Sequence, residues 1–215
     1  MNARYQEWLK HIFDHEVRGH LLPQWYWDED APLFEAPDEE IVELIGHTFR
    51  NAGQDLAKYS DAQVDQGIWY FVSVSGSNFM HLLESPGVPL PERLEAIQSI
   101  FHLYADCFAK RCVETLGYLS EEGSPLNPSC YMFWDISPLT VVEAKEIQDA
   151  VLKVLEKILT IEHRACRESA LHGLGEMFFA RQEAVQAIID RFLGRKKLDE
   201  KLLAYARTAR QGNVL

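Results

Sequence analysis

Four amphipathic segments follow one another between Leu139 and Leu215 with hardly any linker, and this crowding constrains the fold more than any other feature of the chain. A segment that is apolar along one face must bury that face, and a short connection makes an antiparallel neighbour of the next segment. Thr140-Val141-Val142-Glu143 carries a capping-box pattern and predicts a helix start. Ile147, Val151, Val154, Leu155, Ile158 and Leu159 then recur at three- and four-residue intervals. A second helix, about 162–178, has a stripe of Cys166, Ala170, Gly173, Leu174 and Met177, small enough for a close neighbour. The third runs from about Gln182 to Leu193 on Val185, Ile188, Ile189 and Phe192, with Gly194 placed for a left-handed cap. Leu198, Leu202, Tyr205, Ala206 and Ala209 carry the fourth, which Gly212 ends.

Helical hairpins that cannot bury their apolar faces alone stack on one another, which is the logic of an α-solenoid. The stretch Ala165-Cys166-Arg167-Glu168-Ser169-Ala170-Leu171-His172-Gly173-Leu174-Gly175, followed by Ala187-Ile188-Ile189-Asp190-Arg191-Phe192-Leu193, resembles the HEAT-like α-helical repeat proteins of bacteria. The resemblance covers roughly the last 75 residues and implies a fold but no reaction. The proline usual inside the first helix of a HEAT pair is not evident, so a non-repetitive helical bundle stays open beside the solenoid. The expected fold is all-α: stacked antiparallel helix pairs in a HEAT-like α-solenoid or right-handed superhelix. One domain spans 1–215, with an acidic front half, 1–135, and HEAT-like pairs over 138–215.

The front half repeats the helical grammar. Tyr5, Trp8, Leu9, Ile12 and Phe13 define a first helix, with His11 and His15 as a solvated pair. Ile41, Leu44, Ile45 and Phe49 face inward from a second helix over 38–52 that Gly53 ends. Ser60-Asp61-Ala62-Gln63 is a capping box opening a helix that carries Val64, Ile68, Phe71, Val72, Phe79 and Leu82. A long helix from about Glu92 to Leu119 then pairs with it, antiparallel. Two aromatic loops complete the half. Pro23, Pro32 and Pro37 punctuate Trp25-Tyr26-Trp27-Asp28-Glu29-Asp30, and Pro125, Pro128 and Pro138 surround Cys130-Tyr131-Met132-Phe133-Trp134-Asp135. The first loop either anchors itself in the core by its rings or offers one of them to a partner, and the second either plugs the core between the two halves or helps line a pocket at their junction.

Charge separates the halves. Residues 1–135 hold 8 Lys+Arg against 22 Asp+Glu, a balance of −14; residues 136–215 hold 13 against 11, a balance of +2. Counterion release on a phosphate backbone needs many cations, so an acidic front half excludes that surface from nucleic acid and suits a basic protein partner. Arg195-Lys196-Lys197, with Arg191, Lys201, Arg207 and Arg210, makes the last turn locally basic, which reads as a solvated cap. No apolar run approaches the roughly 18 residues of a membrane span, so a cytoplasmic protein with no membrane partner is expected. Cys107, Cys112, Cys130 and Cys166 lack metal-finger spacing and read as reduced thiols, Cys130 alone in a loop.

Glu168, His172 and Glu176 form the sharpest chemical constellation, three side chains at four-residue steps on one stripe of a helix. A carboxylate–imidazole–carboxylate row has the donors to hold a metal or move a proton. Its outer members stand about 12 Å apart along the axis, however, so a single ion needs a ligand from another helix. An exposed or groove-lining polar ladder is the plainer expectation. An iron hydroxylase among HEAT-like proteins uses repeated His-Glu dipeptides, and His15-Glu16 is the only such pair in this chain.

The sequence therefore points first to a non-enzymatic interaction module, an adaptor or immunity-type protein for a basic partner, without cofactor, metal or catalytic residues. Its binding residues would be Trp25, Tyr26, Trp27, Asp28, Glu29, Asp30, Tyr131, Trp134, Asp135, Glu168, His172 and Glu176. The rival is a small metal-dependent or acid/base enzyme built around Glu168, His172 and the Tyr131–Asp135 loop.

Overall fold

A computed structural model describes residues 3–18, 24–195 and 199–214, and among them every regular element is helical and none is a strand. Pro23, Lys196, Lys197, Leu198 and Leu215, which the sequence reading invoked, lie outside the described residues.

Helix α1 (Ala3–Phe13) buries Tyr5, Trp8, Leu9, Ile12 and Phe13, the stripe its spacing predicts. A turn of 3-10 helix, Trp25–Trp27, folds back over it. Helix α2 (Asp38–Arg50) starts with three acids in its first turn, where the helix dipole favours them, and is followed by the single turn α3 (Ala52–Asp55). The Trp8 indole donates to Thr48 Oγ1 at 2.9 Å and the Tyr5 hydroxyl to Asp55 Oδ2 at 2.9 Å, so α1 is pinned by satisfied polar groups as well as by area.

The Ser60 capping box forms as predicted and opens α4 (Asp61–Val72), which packs on α1. Gly67 faces α1 so closely that a Cβ there would lie 2.2 Å from the Phe13 ring. The helix stops at Val72, short of the predicted Leu82: Ser73 is extended and its hydroxyl accepts from the backbone N–H of Ser75. Serine side chains that bond the local backbone compete with helix continuation. A 3-10 turn, Phe79–Leu83, resumes the apolar pattern.

Helix α5 (Leu90–His102) passes through a π-helical stretch, Leu103–Phe108, into α6 (Ala109–Arg111), and ends at Cys112 instead of reaching Leu119. The Asn127 amide explains the end, since it accepts from Val113 N at 3.0 Å and donates to Val113 O at 2.9 Å, taking up the backbone groups a helix would use. Helix α5 lies along α2 rather than along α4, which corrects the predicted pairing.

The second aromatic loop is in fact a helix, α7 (Asn127–Ile136). Asn127 Oδ1 accepts from Ser124 N at 2.9 Å, and Pro128 occupies the first turn, where its missing N–H costs nothing. Cys130 is thus a core residue and not a loop thiol, and all four cysteines are buried and free. The Thr140 capping box does not form. Thr140 sits in a 3-10 turn, Pro138–Thr140, and donates its hydroxyl to Trp134 O at 3.2 Å.

Helix α8 (Lys145–Ile158) begins five residues after Thr140 and buries every predicted apolar position from Ile147 to Ile158. Helix α9 (Arg164–Glu176) follows, then α10 (Phe178–Leu193), whose Arg181 is non-helical, so that regular geometry resumes near the predicted Gln182. Helix α11 (Glu200–Ala209) completes the chain. Gly194 has φ −74° and is not a left-handed cap, whereas Gly212 has φ +72° and is one.

Helix α9 packs against α7, α8, α10 and α11, and α5 bridges α2 to α8. With neighbours on four sides, α9 is largely enclosed, which reverses the expectation for two of its polar row: Glu168 is 1 % exposed and His172 2 %, while Glu176 is half-buried.

Candidate metal centre

Helices α7 and α9 approach closely because Gly173 presents no side chain to α7; a Cβ there would stand 2.7 Å from Trp134 Cγ and 2.9 Å from Leu155 Cδ2. That approach carries Asp135, near the end of α7, to the residue before Gly173. His172 Nε2 lies 3.9 Å from Asp135 Oδ1 and 3.9 Å from Glu176 Oε1, one turn further along α9. One ligand atom from each of the three residues falls within 4.8 Å of the other two.

These separations are too long for hydrogen bonds, and Nε2 is buried with no hydrogen-bond partner. Bonds of about 2.0–2.2 Å to a shared ion would set the donors about 3.4 Å apart at tetrahedral angles, drawing the imidazole and each carboxylate together by roughly 0.5 Å. The other ring nitrogen is anchored: Nδ1 stands 2.8 Å from the Tyr205 hydroxyl. With the proton on Nδ1 donated to Tyr205, the lone pair of Nε2 points at the carboxylates, the tautomer a metal requires. Tyr205 is itself held. Its ring stacks on Tyr118 at 4.6 Å and its hydroxyl lies 3.4 Å from that of Tyr131, whose ring meets His172 edge-on at 5.1 Å.

Protonation follows the same geometry. Burial pushes the His172 imidazole below its ordinary range, against the opposing pull of Asp135, so the ring is neutral near pH 7. Glu176 is pushed up by burial and then by the charge of Asp135. Two carboxylates that repel each other beside a neutral, fixed imidazole form a site that a dication relieves.

The structure divides the predicted residues. Asp135, His172 and Glu176 come together, with Tyr131 behind them. Glu168 leaves the row: its oxygens accept from Gly117 N at 2.8 Å and Tyr118 N at 3.0 Å, holding the 3-10 turn Gly117–Leu119. Burial raises its pKa to about 7, although the two backbone donors oppose the rise. Trp134 is a core residue between Tyr104 and Phe133.

The first aromatic stretch packs elsewhere, on α1 and α4. Trp25 is buried with its ring stacked on His15 at 3.6 Å, Tyr26 stacks on Tyr70 at 5.2 Å, and Trp27 is 56 % exposed. Asp28 pairs with Arg18 at 2.7 Å, while Glu29 and Asp30 are exposed. His11 and His15 are therefore not a solvated pair. His11 Nε2 meets the Tyr70 hydroxyl at 3.0 Å, and burial pushes its pKa down to about 4.

Tyr205, which anchors the His172 ring, is the side chain of this cluster that sequence reasoning missed. It was read as part of an apolar stripe, and no local spacing ties it to His172, 33 positions away. No protein-family model, curated protein or solved structure matches the chain.

Proposed function

We propose that the chain binds one divalent transition-metal ion through His172 Nε2, Asp135 and Glu176, and that the ion's open positions serve water-activating chemistry. The observation that carries this reading is the buried, unpartnered Nε2 set between two carboxylate oxygens. One imidazole with two carboxylates suits Zn²⁺, Mn²⁺ or Fe²⁺ better than soft Cu⁺ or all-oxygen Ca²⁺. Three protein ligands leave room for solvent, the arrangement of a reactive rather than a closed structural site, and a metal-bound water there is a nucleophile near neutral pH. Metal analysis and calorimetry of untagged protein test it: about one equivalent of Zn²⁺ or Mn²⁺ binds, and His172→Ala abolishes binding. Equal binding by the variant would sink the assignment.

A second reading keeps the interaction surface. Trp27 and Leu33 are exposed beside Glu29 and Asp30, which supports an acidic-aromatic contact for a basic partner protein. The HEAT-like stacking of pairs belongs to this reading, supported by the contacts of α8 with α9 and of α10 with α11. Among the described residues no helix is long and apolar enough to cross a membrane. Glu29→Lys with Asp30→Lys, leaving the Arg18–Asp28 pair intact, should abolish recovery of a basic partner from the host; undiminished recovery rejects the contact.

A further inference from the structure

Between the first aromatic turn, α4 and the start of α7 lies a second cleft, of about 770 Å³, within the range of small-molecule sites. Tyr26 and Trp69 supply aromatic walls, and Asp65, Gln66, Gln24 and Arg18 supply its polar groups. The two charged side chains of this lining, Arg18 and Asp65, already have partners. Arg18 holds Asp28 through its guanidinium, and Ser129 donates to Asp65 Oδ1 from Oγ at 2.7 Å and from its backbone N–H at 3.2 Å.

The acceptors are not all satisfied. Gln66 is only 4 % exposed and its Oε1 is buried with no hydrogen-bond partner, as is Gln24 Oε1. Two donor-free amide oxygens close behind the lining add negative potential to it and favour a cation. Asp65 adds an uncompensated charge, since burial lifts its carboxyl to about 6 despite its donors, leaving it ionised at neutral pH at a desolvation cost. With Asp28 neutralising Arg18, the cleft is net negative, and its ring faces attract cations.

We propose that this cleft binds a small organic primary ammonium ion, its N–H groups directed to Asp65 and its carbon skeleton against Tyr26 and Trp69. An anion is disfavoured by Asp65, and a neutral molecule would leave the charge of Asp65 without a counterion. The site shares no residue with the metal centre, so neither depends on the other.

Tyramine is a suitable probe, with the neutral alcohol tyrosol and the anion 4-hydroxyphenylacetate as isosteric controls, titrated by calorimetry into protein pretreated with a chelator. Tyramine should bind saturably with one site, tyrosol at least about tenfold more weakly and the anion not at all. Asp65→Asn keeps an acceptor for Ser129 and should cost about tenfold in tyramine affinity; Trp69→Leu, which keeps apolar bulk, should do likewise. Thermal melts of both variants establish that they are folded. Absence of saturable tyramine binding, equal binding of tyrosol, or full affinity in two folded variants overturns the proposal.

Discussion

His172 is defined by the opposite fates of its two ring nitrogens: Nδ1 is tied to Tyr205, and Nε2 has no hydrogen-bond partner. Removing only the phenolic oxygen, Tyr205→Phe, should keep the fold and weaken Zn²⁺ about 10–100-fold in a competition titration, the usual cost of losing an outer-shell partner. Unchanged affinity would mean that Tyr205 does not set the tautomer. Glu168 makes a separate prediction. Its folded pKa of about 7 stands above the reference 4.5, so the folded state holds this proton more tightly than the unfolded chain does. Its contribution to stability therefore falls as pH rises between those two values and levels off above them. Asp65 and Glu176, also raised, add slopes of the same sign. Denaturant midpoints measured across this window should fall less steeply for Glu168→Gln than for the parent; parallel curves would contradict the shift. The sequence showed the Glu168–His172–Glu176 row correctly but not its division, because helical projection says nothing about what surrounds the helix. Four packed neighbours and the backbone donors of Gly117 and Tyr118 decide that.

At the scale of elements, Gly173 sets the distance between α7 and α9. Gly173→Ala should destabilise the protein by roughly 1–3 kcal/mol through overpacking against Trp134 and Leu155, and should lower metal affinity as Asp135 moves from His172. Chemical denaturation with a parallel metal titration checks both; loss of stability with full affinity would separate the helix contact from the site. Asn127→Ala should cost roughly 0.5–2 kcal/mol, since its side chain serves both Val113 and Ser124 ahead of α7. Periodicity made α1, α2, α8 and the buried face of α11 legible in the sequence. It failed at α7, where Pro128 was read as a breaker although a proline fits a helix's first turn. The two capping boxes teach the same point. Ser60 and Gln63 form theirs, whereas the Thr140 hydroxyl is bound to Trp134 O, a partner outside the motif.

For the molecule as a whole, the acidic front half and α9 hold the residues of the two proposed sites in one helical body. The proposed metal donors come from α7 and α9, while the cleft between the first aromatic turn and α4 takes its negative charge from Asp65. All-helical architecture could be read from the chain alone because nearly every segment keeps a 3.6-residue phase. The contacts of α2 with α5 and of α7 with α9 could not, since they join segments separated by other helices. The central claim is that one ion sits among His172, Asp135 and Glu176. Anomalous diffraction at the Zn edge from crystals grown with Zn²⁺ tests it most directly. The account predicts a peak about 2.0–2.2 Å from His172 Nε2 and from an oxygen of each carboxylate. A fully metallated protein whose only peak lies away from these three residues would contradict it.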